Sequence, residues 1–250
     1  MRELLPVAFA LVPLAAVAAE MAVSSDVRRM DELWAARATP GPMEELIALG
    51  EKRLREEPVS YDALWRIARA WWWIGHSTEN LEVRKRSCSK AMEVAERAIA
   101  LRPRGVEAQL AHGFAVGDYA TSIGALRAVA DGVASRFERA MLAVYEIDRD
   151  HDHGSAMVAL GRYCWRLPWP LRDLERSRRY LEEARERHPR NLTGRLYLAE
   201  TYRDLGDDEK ARAELEYVAS REPLPERAPQ DAPARGEATR RLAEWFAGPR

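Results

Sequence analysis

Histidine and aspartate side chains cluster at one point of the sequence, where His151-Asp152-His153 follows Asp148 and Asp150. Two histidines separated by one residue on a loop can share a metal ion, and carboxylates can complete its ligand set. A third fixed ligand is not evident from the spacing, and Asp152 or His153 can instead cap the helix that follows. We therefore predict a polar loop between two helices and no metal site.

The residue patterns of known catalytic sites are missing from the sequence. It has no glycine-rich phosphate loop, no nucleophile elbow and no His-Glu-x-x-His zinc motif. Only five histidines are available for acid–base work. The sequence therefore predicts a protein that is not an enzyme and holds no cofactor. A novel site at His112, or at His151 and His153, is the weakest of the alternatives.

Arginine and tryptophan side chains recur at helical spacing, and these residue types suit binding. Arginine offers several coplanar donors to a carboxylate, and tryptophan offers a flat apolar surface. We predict a groove for an acidic or amphipathic ligand, or for the acidic peptide of a partner protein. A solvated groove whose charges serve only solubility is the alternative. The predicted groove residues are Arg66, Trp73, His112, Arg162, Trp165, Glu200 and Arg203.

The helices that carry these side chains follow from a repeat in the sequence. Residues 192–223 match a unit of roughly 34 residues that forms two antiparallel helices. Ala199 and Ala211 let the two helices approach closely, and Tyr202 fills the space between them. Gly206 ends the first helix, and a proline closes the second. This unit closely resembles a tetratricopeptide repeat (TPR).

Weaker copies of the unit end at Pro58, Pro103 and Pro189. They are interrupted by an insertion at residues 118–135 and by a corner at residues 168–170. We therefore predict an all-α, tetratricopeptide-like helical-hairpin solenoid with irregular insertions.

The spacing from the predicted core position of each first helix predicts which residues face the groove. Residues two before, two after and five after the core position should face the groove. In the Trp71-Trp72-Trp73 run, this spacing predicts Trp72 in the core, Trp71 partly buried and Trp73 nearest the groove. The equivalent core positions are Ala68, Leu110, Leu160 and Leu198.

The chain divides into four segments. Residues 1–19 have the layout of a secretory signal peptide, with an apolar run and small residues at a cleavage site. A buried N-terminal helix is the alternative. Residues 20–42 form an N-terminal helical segment, and residues 43–223 form the repeat domain. Residues 224–250 are predicted to be a proline-rich linker followed by a short helix near residues 238–246.

The predicted signal peptide points to export into the periplasm, with no integral membrane segment in the mature chain. No cysteine follows the apolar run that could carry a lipid anchor. Cys88 and Cys164 lie in different predicted repeats, and their pairing cannot be deduced from sequence. We favour two small buried residues over a disulfide. With 39 basic and 40 acidic residues, the chain shows no charge bias toward nucleic acid.

Three segments resemble a known family: residues 61–70 (Tyr-Asp-Ala-Leu-Trp-Arg-Ile-Ala-Arg-Ala), residues 98–103 and residues 160–169. Together they look like the tetratricopeptide T-components of tripartite (TRAP) periplasmic transporters. The architecture is also similar to the regulator-of-microtubule-dynamics proteins of animals. The resemblance covers residues 40–223 and implies a periplasmic protein that docks onto a solute-binding protein. T-components typically carry a lipid anchor, which is not evident in this chain.

We therefore expect a non-catalytic binding or scaffold protein. Its first expected role is a T-component-like accessory that binds a small amphipathic or acidic solute, or a solute-binding protein. The alternative role is a general protein–protein interaction scaffold of the cell envelope that recognises a partner peptide in its concave groove. The resemblance also implies a possible homo-oligomer.

Overall fold

The computed structural model describes the backbone of residues 14–246 and the side chains of residues 25–246. These residues contain twelve α-helices, a 3₁₀ turn at Pro225–Arg227 and no β-strand, which confirms the predicted all-α class. The helices are α1 (Leu14–Ala35), α2 (Pro42–Glu56), α3 (Tyr61–His76), α4 (Leu81–Leu101), α5 (Val106–Ile123), α6 (Ala125–Ala130), α7 (Val133–Asp148), α8 (His151–Arg166), α9 (Leu174–Arg187), α10 (Leu192–Asp204), α11 (Asp208–Ser220) and α12 (Ala228–Phe246).

Neighbouring helices pack as hairpins that stack in chain order. The hairpins are α1–α2, α3–α4, α5–α7, α8–α9 and α10–α11, and α12 packs on α10 and α11 at the end of the stack. The first helices of successive hairpins also contact each other, as α3 contacts α5 and α8 contacts α10. This arrangement is a helical-repeat solenoid, in which each unit buries its apolar face against the next.

The α10–α11 hairpin forms as the repeat predicts. Tyr202 is only 1% exposed between the helices, and its hydroxyl donates to Glu182 Oε1 at 2.8 Å. Gly206 adopts a φ of 83°, which few residues other than glycine tolerate, and so ends α10. Asp207 then caps α11 by accepting from the backbone N–H of Lys210. Such a cap stabilises a helix by about 1 kcal/mol.

The insertion predicted at residues 118–135 is smaller than the sequence suggested. Residues 118–123 continue α5, which ends only at Gly124, where φ is 86°. Residues 118–123 contain no glycine or proline, so nothing in this stretch of the sequence stops the helix. The short helix α6 and the first residues of α7 make up the rest of the segment.

The predicted proline-rich linker after residue 223 is wrong. A 3₁₀ turn leads directly into α12, which continues through Pro229 and Pro233. Pro229 lies in the first turn, where a missing N–H breaks no helical hydrogen bond. Asp231 is fully buried and accepts from Arg227 Nε at 3.0 Å and from Thr193 Oγ1 at 2.8 Å. These tertiary contacts hold the segment against α10 despite its prolines.

The two ends of the solenoid meet at Arg37, which follows α1. Arg37 is 5% exposed, and its Nη2 donates to the Glu226 carbonyl and to Gln230 Oε1, both at 2.7 Å. These contacts join residues almost 190 positions apart in the chain and close the row of hairpins into a ring.

Residues 1–13 of the predicted signal peptide lie outside the described residues, and residues 14–19 begin α1. Among the described helices, none combines the length and the apolar character that crossing a membrane requires.

Candidate functional site

The inner face of the ring encloses a cavity of about 950 Å³, which we call the inner cavity. Its walls come from the first helices of the hairpins, α1, α3, α5, α8 and α10, together with α6, the start of α7 and the start of α12. The residues on which its chemistry depends are Trp34, Trp65, Arg69, Trp72, His76, Phe114, Asp118, Arg162 and Tyr197. Its volume is at the upper end of the range for small-molecule sites.

Aromatic rings form one wall of the inner cavity. Trp72 stacks on Phe114 with ring centroids 4.7 Å apart, and Trp34 packs 6.4 Å from Trp72. An aromatic pair of this kind contributes roughly 1 kcal/mol beyond its buried area. This part of the wall is therefore largely apolar, and it gives a flat surface on which an apolar group can lie.

Asp118 is the acidic group on this wall. Its Oδ2 accepts from Trp72 Nε1 at 2.7 Å and lies 2.9 Å from His76 Nδ1. Because Asp118 lies on α5 and both partners lie on α3, the carboxylate ties the two helices together. The same contacts fix the orientation of the Trp72 ring.

Arg162 lies on the opposite side, on α8. Its guanidinium lies 4.2 Å from the centres of the Trp165 and Tyr197 rings, and it forms an ion pair with Glu200. Glu200 is 3% exposed and also pairs with Arg241 of α12 at 2.5 Å. Burial raises the pKa of Tyr197, so its hydroxyl stays protonated. The Arg162 charge is thus largely neutralised within the protein.

Of the seven predicted groove residues, only Arg162 lines the inner cavity. The spacing rule was wrong for α3, because α1 covers the side of α3 that Arg66 and Trp73 occupy. Arg66 donates to both carboxylate oxygens of Asp31 on α1, each at 2.9 Å. Trp73 is 6% exposed and donates to the Arg37 carbonyl. Trp72 is buried in the core, as the sequence predicted, and one side of it also lines the cavity.

His112 lies between helices rather than on the cavity wall. Its Nε2 is 3.4 Å from Glu96 Oε1 of α4, which also accepts from Arg136 of α7 at 3.1 Å. Burial lowers the pKa of His112 below its usual value. This position suits a neutral histidine that packs α4, α5 and α7 together.

The other predicted groove residues lie beside the cavity or on the outer surface. Trp165 is covered by Arg162 and Arg172, with the Arg172 guanidinium 4.7 Å from its ring. Glu200 forms ion pairs with Arg162 and Arg241. Arg203 pairs with Asp208 of α11 and does not line the cavity.

The His151-Asp152-His153 segment forms a left-handed turn at the start of α8. Asp152 and His153 have φ of 49° and 56°, which is uncommon outside glycine. Ser155 donates to Asp152 Oδ2 at 2.6 Å, and Asn191 donates to the His153 carbonyl at 2.9 Å. No group of three or more potential metal ligands occurs in the part of the chain that the structure describes.

Both cysteines are buried and unpaired, as the sequence favoured. Burial raises the pKa of Cys88 to about 12 and that of Cys164 to about 11. Their thiols therefore stay protonated and unreactive at neutral pH, which matches their role as small core side chains.

Sequence reasoning missed the stripe of α3 that lines the cavity. This stripe consists of Trp65, Arg69, Trp72 and His76, at spacings of four, three and four residues. That spacing defines one face of a helix. A search for aromatic and charged residues at this period would have found it without assuming a core position.

Comparison with solved structures identifies similar folds. TTC0263, a thermophilic TPR protein of Thermus thermophilus, has a TM-score of 0.63 and 18% identity, covering 88% of this chain and 98% of that one. MamA has a TM-score of 0.49 and 12% identity, covering 91% of this chain and 99% of that one. No family model matches the chain, and no curated protein matches it significantly. The resemblance to TRAP T-components gains no support from these comparisons. At these identities the likeness shows the fold alone: the chain is an all-α helical-repeat solenoid with a TPR-like fold.

Proposed function

We propose that this chain is a non-catalytic protein-interaction scaffold that holds a short segment of a partner protein in the inner cavity. The observation that carries the proposal is the cavity itself. The inner helices of successive hairpins build it, and they line it with aromatic rings and a few charged groups. Concave surfaces of helical solenoids are suited to binding extended segments in this way.

The lining has the composition of a recognition surface. Trp72, Phe114 and Tyr197 offer large apolar areas with few rotatable bonds, and tryptophan, tyrosine and arginine dominate binding energy at protein interfaces. Asp118 and Arg162 are fixed by partners within the protein and so can orient a ligand without first being ordered. The wall is thus organised before anything binds.

Site-specific photo-crosslinking in the source cell tests this proposal. Thr121 lines the cavity, and Thr239 lies exposed on α12 outside it. Both hydroxyls donate to the carbonyl four residues earlier in their own helix, which makes them a matched pair. A photoreactive residue at position 121 should crosslink a discrete partner, and one at position 239 should not.

A blocking variant completes the experiment. Thr121→Trp places an indole in the cavity and should abolish capture of that partner, whereas Thr239→Trp should leave capture intact. Equal crosslinking from both positions, or capture that survives Thr121→Trp, would show that the cavity is not the interaction surface.

A second candidate function is binding of a small amphipathic solute. The observation that favours it is the closure at Arg37, where two hydrogen bonds to the C-terminal segment limit access for a long peptide. Native mass spectrometry of protein purified from its source should then show a bound small molecule. The same measurement reports the oligomeric state. A measured mass equal to that of the polypeptide alone in every preparation would argue against this function.

A transport-accessory role would require export to the periplasm, as the predicted signal peptide implies. We propose this location on the sequence alone. Fusion of residues 1–40 to a reporter enzyme that is active only in the periplasm tests it. A fusion that stays inactive would exclude export and, with it, the accessory role.

A further inference from the structure

Arg69 is a charged residue of the inner cavity whose donors are poorly matched by the protein. Its guanidinium lies over the Trp34 ring at 3.9 Å and over the Trp65 ring at 4.6 Å. Contacts of this kind favour the cation and fix the plane of the group. The side chain keeps 23% of its surface exposed, and it lines the cavity.

The carboxylate nearest to Arg69 already accepts hydrogen bonds from another arginine. Asp31 lies 3.8 Å from Arg69 Nη2, beyond hydrogen-bonding distance, while both of its oxygens accept from Arg66 at 2.9 Å. Arg69 Nε is buried without a hydrogen-bond partner among the described residues. A guanidinium has five N–H donors, and an unmatched buried donor costs roughly 1–3 kcal/mol. The site therefore lacks an acceptor.

The charges around Arg69 come from neighbouring arginines and acids. Three guanidiniums, those of Arg37, Arg66 and Arg69, influence one another here, and the carboxylates that act on Arg69 are Asp31 and Asp152. Arg37 does not draw on these acids for hydrogen bonds, because it donates to carbonyl and amide oxygens. Asp62 lies 3.4 Å from Arg66 Nη1, so three acids face the three arginines, and the unmatched Arg69 donor rather than a net charge calls for an acceptor. Burial lowers the pKa of Arg69 to about 9, which leaves it charged at neutral pH.

An apolar surface continues from the guanidinium along the same helix face. Trp72 follows Arg69 by three residues, about one helical turn, and stacks on Phe114. A ligand whose anionic end reaches Arg69 can therefore lay an apolar body on these two rings. Asp118 is held by Trp72 and His76 and would disfavour a second negative charge at the far end of the wall.

We propose that Arg69 binds the carboxylate of a small amphipathic monocarboxylic acid whose apolar body packs on Trp72 and Phe114. This inference rests on the second candidate function, in which the inner cavity binds a small solute, and names the chemistry recognised there. A carboxylate accepts two coplanar N–H bonds from a guanidinium, which gives orientation as well as affinity. The C-terminal carboxylate of a peptide has the same chemistry, so the experiment must separate the two sources.

Isothermal titration with matched probes tests the proposal on the full chain. The first pair is 4-phenylbutanoate and 4-phenylbutanamide, which differ only in the charged group. The second pair is the acetylated tripeptide Ala-Leu-Phe with a free carboxylate and with an amide terminus. We expect the free acid to bind at least about tenfold more tightly than its amide, and more tightly than either peptide.

Substitutions at Arg69 assign the effect to this side chain. Arg69→Gln should remove the preference for acid over amide, and Arg69→Lys should keep part of it because the charge remains. Arg97→Gln changes an exposed arginine on α4 outside the cavity lining and should alter nothing. Thermal unfolding of each variant checks the fold, and the comparison of acid with amide in the unsubstituted protein needs no variant.

Equal binding of acid and amide, absence of binding by both, or equal weakening of both by Arg69→Gln would overturn the inference. Tighter binding of the tripeptide with a free carboxylate than of 4-phenylbutanoate would overturn the proposal that the ligand is a small molecule rather than a peptide. None of these results affects partner capture at position 121, so the failure of this inference and the failure of the proposed function can be told apart.

Discussion

The buried ion pair at the start of α12 should control how firmly the ring is closed. Asp231 is 0% exposed and Arg227 only 7%, and Asp231 also accepts from the backbone N–H and hydroxyl of Thr193. Asp231→Ala leaves the guanidinium buried with Asn191 as its remaining partner, at 3.1 Å. Removing one partner of such a pair costs about 3–5 kcal/mol, and the Asn191 contact favours the lower figure.

The solenoid architecture determines where this loss is observed. Because stability in stacked repeats is a sum of local terms, α12 should detach before the other hairpins unfold. A loss of about 3 kcal/mol corresponds to roughly a hundredfold drop in hydrogen-exchange protection of residues 228–246. Global unfolding by denaturant should shift much less.

A matched control is available on α11. Asp208→Ala removes a carboxylate that is 57% exposed in its pair with Arg203. Exposed pairs are worth less than about 1 kcal/mol, so protection of α12 should stay within a few-fold of the original. Equal hydrogen-exchange rates in α12 for the Asp231 and Asp208 variants would refute the reasoning. The buried pair would then stabilise α12 no more than the exposed pair does.

Three further predictions concern the hairpins and the closure of the ring. Gly161→Ala places a Cβ 2.5 Å from the Leu181 side chain. The overpacking costs about 1–3 kcal/mol and outweighs a helix-propensity gain of about 1 kcal/mol, so calorimetry should show a lower Tm. An unchanged or higher Tm would mean that Leu181 moves aside freely. Because burial lowers the pKa of His112, the unfolded chain takes up a proton first as pH falls through about 6.5. Stability should therefore fall between pH 7 and 5, and His112→Gln should flatten that fall in thermal melts; parallel pH curves would contradict the assignment. Arg37→Met removes two hydrogen bonds to the C-terminal segment, and small-angle scattering should show a larger radius of gyration. An unchanged radius would show that these bonds do not close the ring.

The sequence predicted those parts of the fold that depend on local signals. The α10–α11 hairpin could be predicted because Tyr202, Gly206 and Asp207 each act within a few residues of their own position. The same holds for the unpaired cysteines, since helix interiors rarely align two such side chains. Local propensity and turn chemistry suffice for features of this kind.

The candidate site was harder to predict because it depends on contacts between distant segments. The sequence treated residues 20–42 as a separate helical segment, and so it placed nothing against the side of α3 that α1 covers. Arg66 and Trp73 were therefore assigned to the groove in place of Arg69 and Trp72, which line it. The linker prediction failed for the same reason, because the proline signal is local and the Asp231 anchor is not.

The contribution of α1 links the closure of the ring to the chemistry of the cavity. Its Trp34 covers Arg69, its Asp31 accepts hydrogen bonds from Arg66 and stays 3.8 Å from Arg69, and Arg37 joins the following loop to the C-terminal segment. All three residues come after position 19, where the predicted signal peptide ends. Removal of residues 1–19 would therefore keep these three contacts. Truncation beyond Arg37 would remove the Arg37 contacts, Trp34 and Asp31 together, and leave Arg69 with Trp65 and Arg66 with Asp62.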